Sequence, residues 1–179
     1  MSQTKNVYAL PFNKKDLIKA ISHPKAHFAH LSNAIDFILP LGTKVLASKA
    51  GKVIDIKVDS NKGGFEPKYN DMKFVNYLTI KHSNKEYSQY VHLKHNGSLV
   101  KIGDKVKQGQ PIALSGNTGF TTAPHLHFHI FKFVKTGIGW ETLKIKFKEK
   151  VFVDKTDNPV PKKFNKTLKE LERVRKSLK

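Results

Sequence analysis

The sequence reads as a mainly β, antiparallel domain followed by a C-terminal amphipathic helix. Three observations carry that expectation. Short apolar stretches between residues 45 and 131 alternate with polar residues at period two, as half-buried strands do. Glycine, asparagine and proline punctuate these stretches at the spacing of tight antiparallel connections. Only beyond residue 163 does the apolar spacing change to three and four, the period of a helix. At 179 residues the chain has the length for one domain with its own core.

Residues 12–35 are histidine-rich and irregular, and Asp36-Phe37-Ile38-Leu39-Pro40 opens the ordered region. Leu41-Gly42-Thr43 reads as a turn before a short strand at Val45-Leu46-Ala47. In the stretch 52–58, Ile54, Ile56 and Val58 alternate with Asp55 and Lys57, which predicts a strand with those three facing inward. Residues 59–73 hold Asn61, Gly63, Gly64 and Pro67 and read as a loop over one end of the sheet. Segments 75–82 and 87–93, separated by Ser83-Asn84-Lys85-Glu86, predict a hairpin. The run VKIGDKVKQGQPIALSGNTG (100–119) supplies short strands between glycines, and 151–153 a late strand. The prolines within 157–163 end the compact part. Beyond them Phe164, Leu168, Leu171, Val174 and Leu178 form one stripe on a basic helix that docks through it. This divides the chain into an extension (1–22), a main domain (23–156) and a linker with the helix (157–179).

Composition narrows the function classes. No apolar run approaches 18 residues, so a membrane span is not expected, and MSQTKNVYALPFNKK lacks the apolar core of a signal peptide. Cysteine is absent, so any metal site must use His, Asp or Glu. The formal charge of +19 favours contact with polyanions, but the lysines are spread along the chain without a recognition helix or finger spacing. Charge alone therefore names no specific nucleic-acid partner.

The stretch Ala123-Pro124-His125-Leu126-His127-Phe128-His129-Ile130 is the most informative. As a strand it puts His125, His127 and His129 on one face and Leu126, Phe128 and Ile130 on the core face. Three adjacent imidazoles cover a core poorly and ligate zinc well.

Four stretches in order, NAIDFILPLGTKVLASKAGKV (33–53), YSQYVHLKH (87–95), VKIGDKVKQGQPIALSGNTG (100–119) and TTAPHLHFHIF (121–131), resemble the LytM/lysostaphin-type zinc metallopeptidases. The resemblance covers about residues 23–135. It implies the duplicated hybrid motif fold, an antiparallel β-sheet sandwich with a groove. It also implies one zinc ion held by His, Asp and His, and endopeptidase activity on peptidoglycan peptide cross-links. Asp36 matches the carboxylate ligand and His127 the last histidine ligand. His92 and His125 match the two catalytic histidines. The commonest pattern has a histidine four residues before the aspartate, where this chain has Ser32. Other relatives place the ligand nine residues before, which lands on His27, the first choice; His30, six before, is its rival. His82 reads as a hydrogen-bonded core residue, and His95 as surface or groove rim. His129 lines the groove or bonds a ligand. Tyr90, two residues before His92 and so on the same strand face, is either a groove flank or a packing residue.

The resemblance places the protein in the periplasm, at the cell wall or outside the cell if a leader is removed, where anionic wall polymers suit the charge. Two other readings remain at this level. One is a degenerate relative that binds peptidoglycan, or activates an amidase, without cutting. The other is a lipoyl- or biotinyl-type carrier, suggested by VKIGDKVKQGQPIALSG but lacking the lysine-bearing hairpin such carriers need.

Overall fold

The computed structural model describes residues 2–22, 27, 29–135 and 137–155. The expected helix within 157–179 lies outside the described residues. Among the described residues thirteen strands follow one another: β1 (Lys19–Ile21), β2 (Ile35–Ile38), β3 (Lys44–Leu46), β4 (Gly51–Lys57), β5 (Gly63–Gly64), β6 (Tyr77–Lys81) and β7 (Tyr87–Val91). The remainder are β8 (Leu93–Ser98), β9 (Lys105–Val106), β10 (Pro111–Ser115), β11 (Gly119–Phe120), β12 (His125–Phe133) and β13 (Trp140–Leu143).

The architecture is mainly β, as the alternation predicts. The large antiparallel sheet runs β1-β2-β12-β7-β6-β4-β9. β13 adds to the same edge of β12 that β2 occupies further along, because β2 pairs with 125–128 and β13 with 130–133. A second antiparallel sheet runs β3-β10-β8, and β5 and β11 form a short parallel pair.

The core lies between the two larger sheets. Leu126, Phe128 and Ile130 from β12, Leu78 and Ile80 from β6 and Phe37 from β2 join Val45, Ala113 and Leu93 from the second sheet, all fully or almost fully buried. Each of these side chains larger than alanine contributes about 1.5–3 kcal/mol on leaving water. Tyr8, Leu10 and Phe12, from the segment ahead of residue 23, belong to the same core. That segment is tied down by the buried carboxylate of Glu86. Glu86 accepts hydrogen bonds from the Lys5 and Asn6 amides, the Asn6 side chain and the Tyr8 hydroxyl. Burial and the neighbouring carboxylate push the Tyr8 phenol strongly up, so it stays protonated and donates.

Three local expectations need correction, and one open choice, at Tyr90, is decided. A register shift between Val53 and Asp55 turns Ile54 outward, so Val53 and Ile56 supply the inward positions of β4. Residues 12–35 are not wholly irregular, since β1 pairs with β2 from Lys19 to Ile21. Residues 151–153 form no strand; only Asp154 makes a bridge, to Ile21. Tyr90 is fully buried, with its hydroxyl bonded to Ser48 at 2.9 Å, and so packs the core rather than flanking a groove. His82 is the hydrogen-bonded core residue expected, its ring between the Ala50 carbonyl and Ser88 Oγ.

Candidate metal centre

The site starts from a register. In the ladder between β2 and β12, Asp36 stands opposite His127. Their neighbours Phe37, Leu126 and Phe128 fill the core, which sends Asp36 and His127 to the other face. His127 Nδ1 lies 3.0 Å from Asp36 Oδ1. His27, just ahead of the short 3-10 turn Ala29–Leu31, brings its Nε2 to 3.2 Å from the same oxygen. The three donor atoms lie within 4.8 Å of one another.

This set fits zinc. A tetrahedral ion with bonds of about 2.0–2.2 Å keeps its ligand atoms roughly 3.3 Å apart, close to the two spacings on Asp36. All three side chains are largely buried, a poor environment for polar groups that have nothing to bind. Burial lowers the His127 pKa, with Asp36 partly opposing, so the imidazole is neutral and offers a lone pair. Burial of Asp36 raises its pKa, but the imidazoles of His125, His127 and His27 outweigh that and hold it well below the carboxylate range. His30 is directed elsewhere: its ring packs edge-on against Trp140 at 4.6 Å.

Two more imidazoles flank the set. His125 Nε2 lies 3.7 Å from Asp36 Oδ1, while its Nδ1 donates to the Ala123 carbonyl at 2.8 Å. His92 and His125 have ring centroids 4.5 Å apart. His92 Nδ1 donates to the Thr118 carbonyl at 2.6 Å. Each ring is thereby fixed with its proton on Nδ1 and its Nε2 lone pair available. Burial, with His125 and His127 beside it, lowers the His92 pKa to about 3, so it is a neutral base near pH 7. His92 sits at φ 62°, just past the end of β7. That left-handed turn breaks the strand alternation and separates the directions of His92 and Tyr90.

The sequence reading passed over the carbonyls of Thr118 and Ala123, which orient the two flanking histidines. Main-chain acceptors carry no side-chain signature, so only the fold reveals them. It also passed over Trp140, whose ring stacks on His129 at 5.7 Å and 11°. Gly137 and Gly139 ahead of Trp140 were the available turn signal for β13. His95 is exposed on β8.

Two imidazoles and a carboxylate converging on one point, beside the imidazoles of His92 and His125 with free Nε2 atoms, make the side-chain set of a mononuclear metallopeptidase. The family-level comparison agrees: the model of peptidase family M23 matches residues 30–138, and the chain belongs to that family of zinc-dependent metallopeptidases. The match contains Asp36, His92, His125 and His127 and begins after His27. An uncharacterized metalloprotease of Buchnera aphidicola is 38% identical over 68% of this chain and 30% of its own length. The peptidoglycan DD-endopeptidase ShyA of Vibrio cholerae is 38% identical over 60% of this chain and 22% of its own. The chain thus spans less than a third of the length of these curated relatives. Among solved structures, a zinc-containing peptidase from Vibrio cholerae superposes with a TM-score of 0.51 and 32% identity. That similarity covers 70% of this chain and 36% of the other.

Proposed function

We propose that this protein is a zinc-dependent endopeptidase that hydrolyses peptide cross-links of bacterial peptidoglycan, acting outside the cytoplasm. The observation that carries the reading is the convergence of His27 Nε2, Asp36 Oδ1 and His127 Nδ1 with the rings of His92 and His125 beside them. His27, Asp36 and His127 would hold the zinc, which would supply Lewis acidity toward an amide carbonyl and make water nucleophilic near neutral pH. Three protein ligands rather than four suit a catalytic site. His92 Nε2 accepts a proton from the attacking water, and the Nε2 lone pair of His125 accepts a hydrogen bond from the same water and orients it. As the C–N bond breaks, the proton held at His92 passes to the departing amine, leaving a carboxylate and an amine. The name of the Vibrio relative, a peptidoglycan DD-endopeptidase, supports the substrate class. The +19 charge supports a further role for anionic wall polymers, which would raise the local enzyme concentration without choosing the bond.

The test is mass spectrometry of purified cross-linked peptidoglycan after incubation with zinc-loaded protein and with a chelated control. New, zinc-dependent peptide termini are expected. H127A is expected to lose both zinc and cleavage. H92A should keep its zinc while losing about 10²–10⁴-fold in rate. Cross-links left intact by zinc-loaded protein on walls that a known relative cuts would sink the reading.

A further inference from the structure

His129 is the histidine of the strand that the proposed chemistry leaves unused. It is 2% exposed, on the same face as His125 and His127. Its Nδ1 lies 3.2 Å from His127 Nε2. Its other nitrogen, Nε2, is buried without a hydrogen-bond partner among the described residues. The ring stacks nearly parallel on Trp140, and Trp140 is itself edge-on to Phe131 and His30. Packing alone does not explain an imidazole here. An apolar side chain of similar size would fill the space without stranding a polar nitrogen.

We infer that His129 is a positioning residue that fixes the tautomer and ring orientation of His127, with Trp140 holding its own ring plane. The inference rests on the ligand set proposed above. A neutral imidazole that offers its Nδ1 lone pair to a metal carries its proton on Nε2. The acceptor at hydrogen-bond distance from His127 Nε2 is His129 Nδ1, so His129 must present a lone pair there and keep its own proton on Nε2. That places the second proton on the atom that has no partner. The stranded nitrogen is therefore the consequence of serving His127. The arrangement gives the third strand histidine a function that a groove-lining role does not: an acceptor, neutral and deeply buried, behind a metal ligand.

The wild-type protein tests this without any risk of misfolding. Long-range proton–nitrogen NMR on the zinc-loaded chain is expected to show both His127 and His129 protonated on Nε2; a proton on His129 Nδ1 would overturn the inference. Substitution supplies a second readout, zinc affinity measured by chelator competition. H129L, which has no acceptor, should bind zinc 10–100-fold more weakly than the parent, as loss of such outer partners typically does. H129Q, which restores an acceptor oxygen, should recover most of that loss, and cobalt-substituted protein should show a parent-like visible spectrum for H129Q only. If H127A loses zinc but H129L binds it as the parent does, His129 is overturned and the ligand set stands. If H127A binds zinc as tightly as the parent, the ligand set fails and the inference falls with it.

Discussion

One backbone angle decides where His92 acts. At φ 62° it is a non-glycine residue in the left-handed region, which costs about 1–2 kcal/mol. That conformation swings the ring away from the path of β7 and onto the Thr118 carbonyl. Period-two reading put His92 and Tyr90 on one face, and no sequence pattern forewarns of a single turned residue. By contrast the shared face of His125 and His127 was legible, because a regular strand does alternate and the core residues between them declare its inner side, whereas Asp36 was marked by the family resemblance. The first histidine was only half legible. Ser32 stands at the commonest position, and the stretch around His27 and His30 has no periodicity from which to choose. The fold separates the two by neighbours, one at Asp36 and the other against Trp140. Away from the site, His82 makes a prediction about stability. Its imidazole takes a proton near pH 6.5 in the unfolded chain, but burial lowers its pKa to about 4 in the folded one. Between those values the unfolded state binds more protons, so protonation pulls toward unfolding. The contribution is full above pH 6.5, is lost as pH falls toward about 4, and is flat below. That interval corresponds to about 3 kcal/mol at 1.36 kcal/mol per unit. In urea unfolding of metal-free protein at pH 7 and pH 4.5, H82Q should lose stability less steeply than the parent. Parallel losses would show that His82 is not responsible.

Among the elements, β12 carries three histidines of the candidate site and was the easiest to read. The expected loop over 59–73 contains the two-residue strand β5, which pairs in parallel with β11. Such a short pairing leaves no periodic trace; its signature is the glycine pair itself. A Cβ at Gly63 would overlap the Asn117 carbonyl and meet the Gly119 carbonyl and the Thr118 Cα at 2.9 Å each. All three are backbone atoms, so the clash is relieved only by parting β5 from β11. G63A should therefore cost about 1–3 kcal/mol, as overpacking does. Because Thr118 also orients His92, it should lower the rate of cleavage while zinc stoichiometry stays unchanged. Unfolding curves and metal analysis check both halves; a variant with parental stability would mean that the loop yields freely. The register shift in β4 shows the converse limit of sequence reading. The apolar spacing of Ile54, Ile56 and Val58 was plain, but one bulge moved Ile54 to the surface.

At the scale of the molecule, the core beneath the sheet that carries the site is completed by segments far apart in sequence. Gln3 bridges to Lys144 and Tyr8 to Phe147, while Glu86 holds the strap that contains Tyr8. Pairings of such long separation make folding slow, in the millisecond-to-second range for chains rich in them. Pulse-labelled hydrogen exchange should find the amides of Thr4 and Tyr8, which donate to Lys144 and Lys146, protected after those of the β6–β7 hairpin. Earlier protection would mean that the strap docks before the hairpin forms. During synthesis the delay is longer. Chain growth at roughly 5–20 residues per second puts roughly 7–30 s between the emergence of Gln3 and that of Lys144. For that interval the aromatic rings of Tyr8 and Phe12 have no core to enter, and the nascent chain carries an unburied apolar segment that a holding chaperone would recognise.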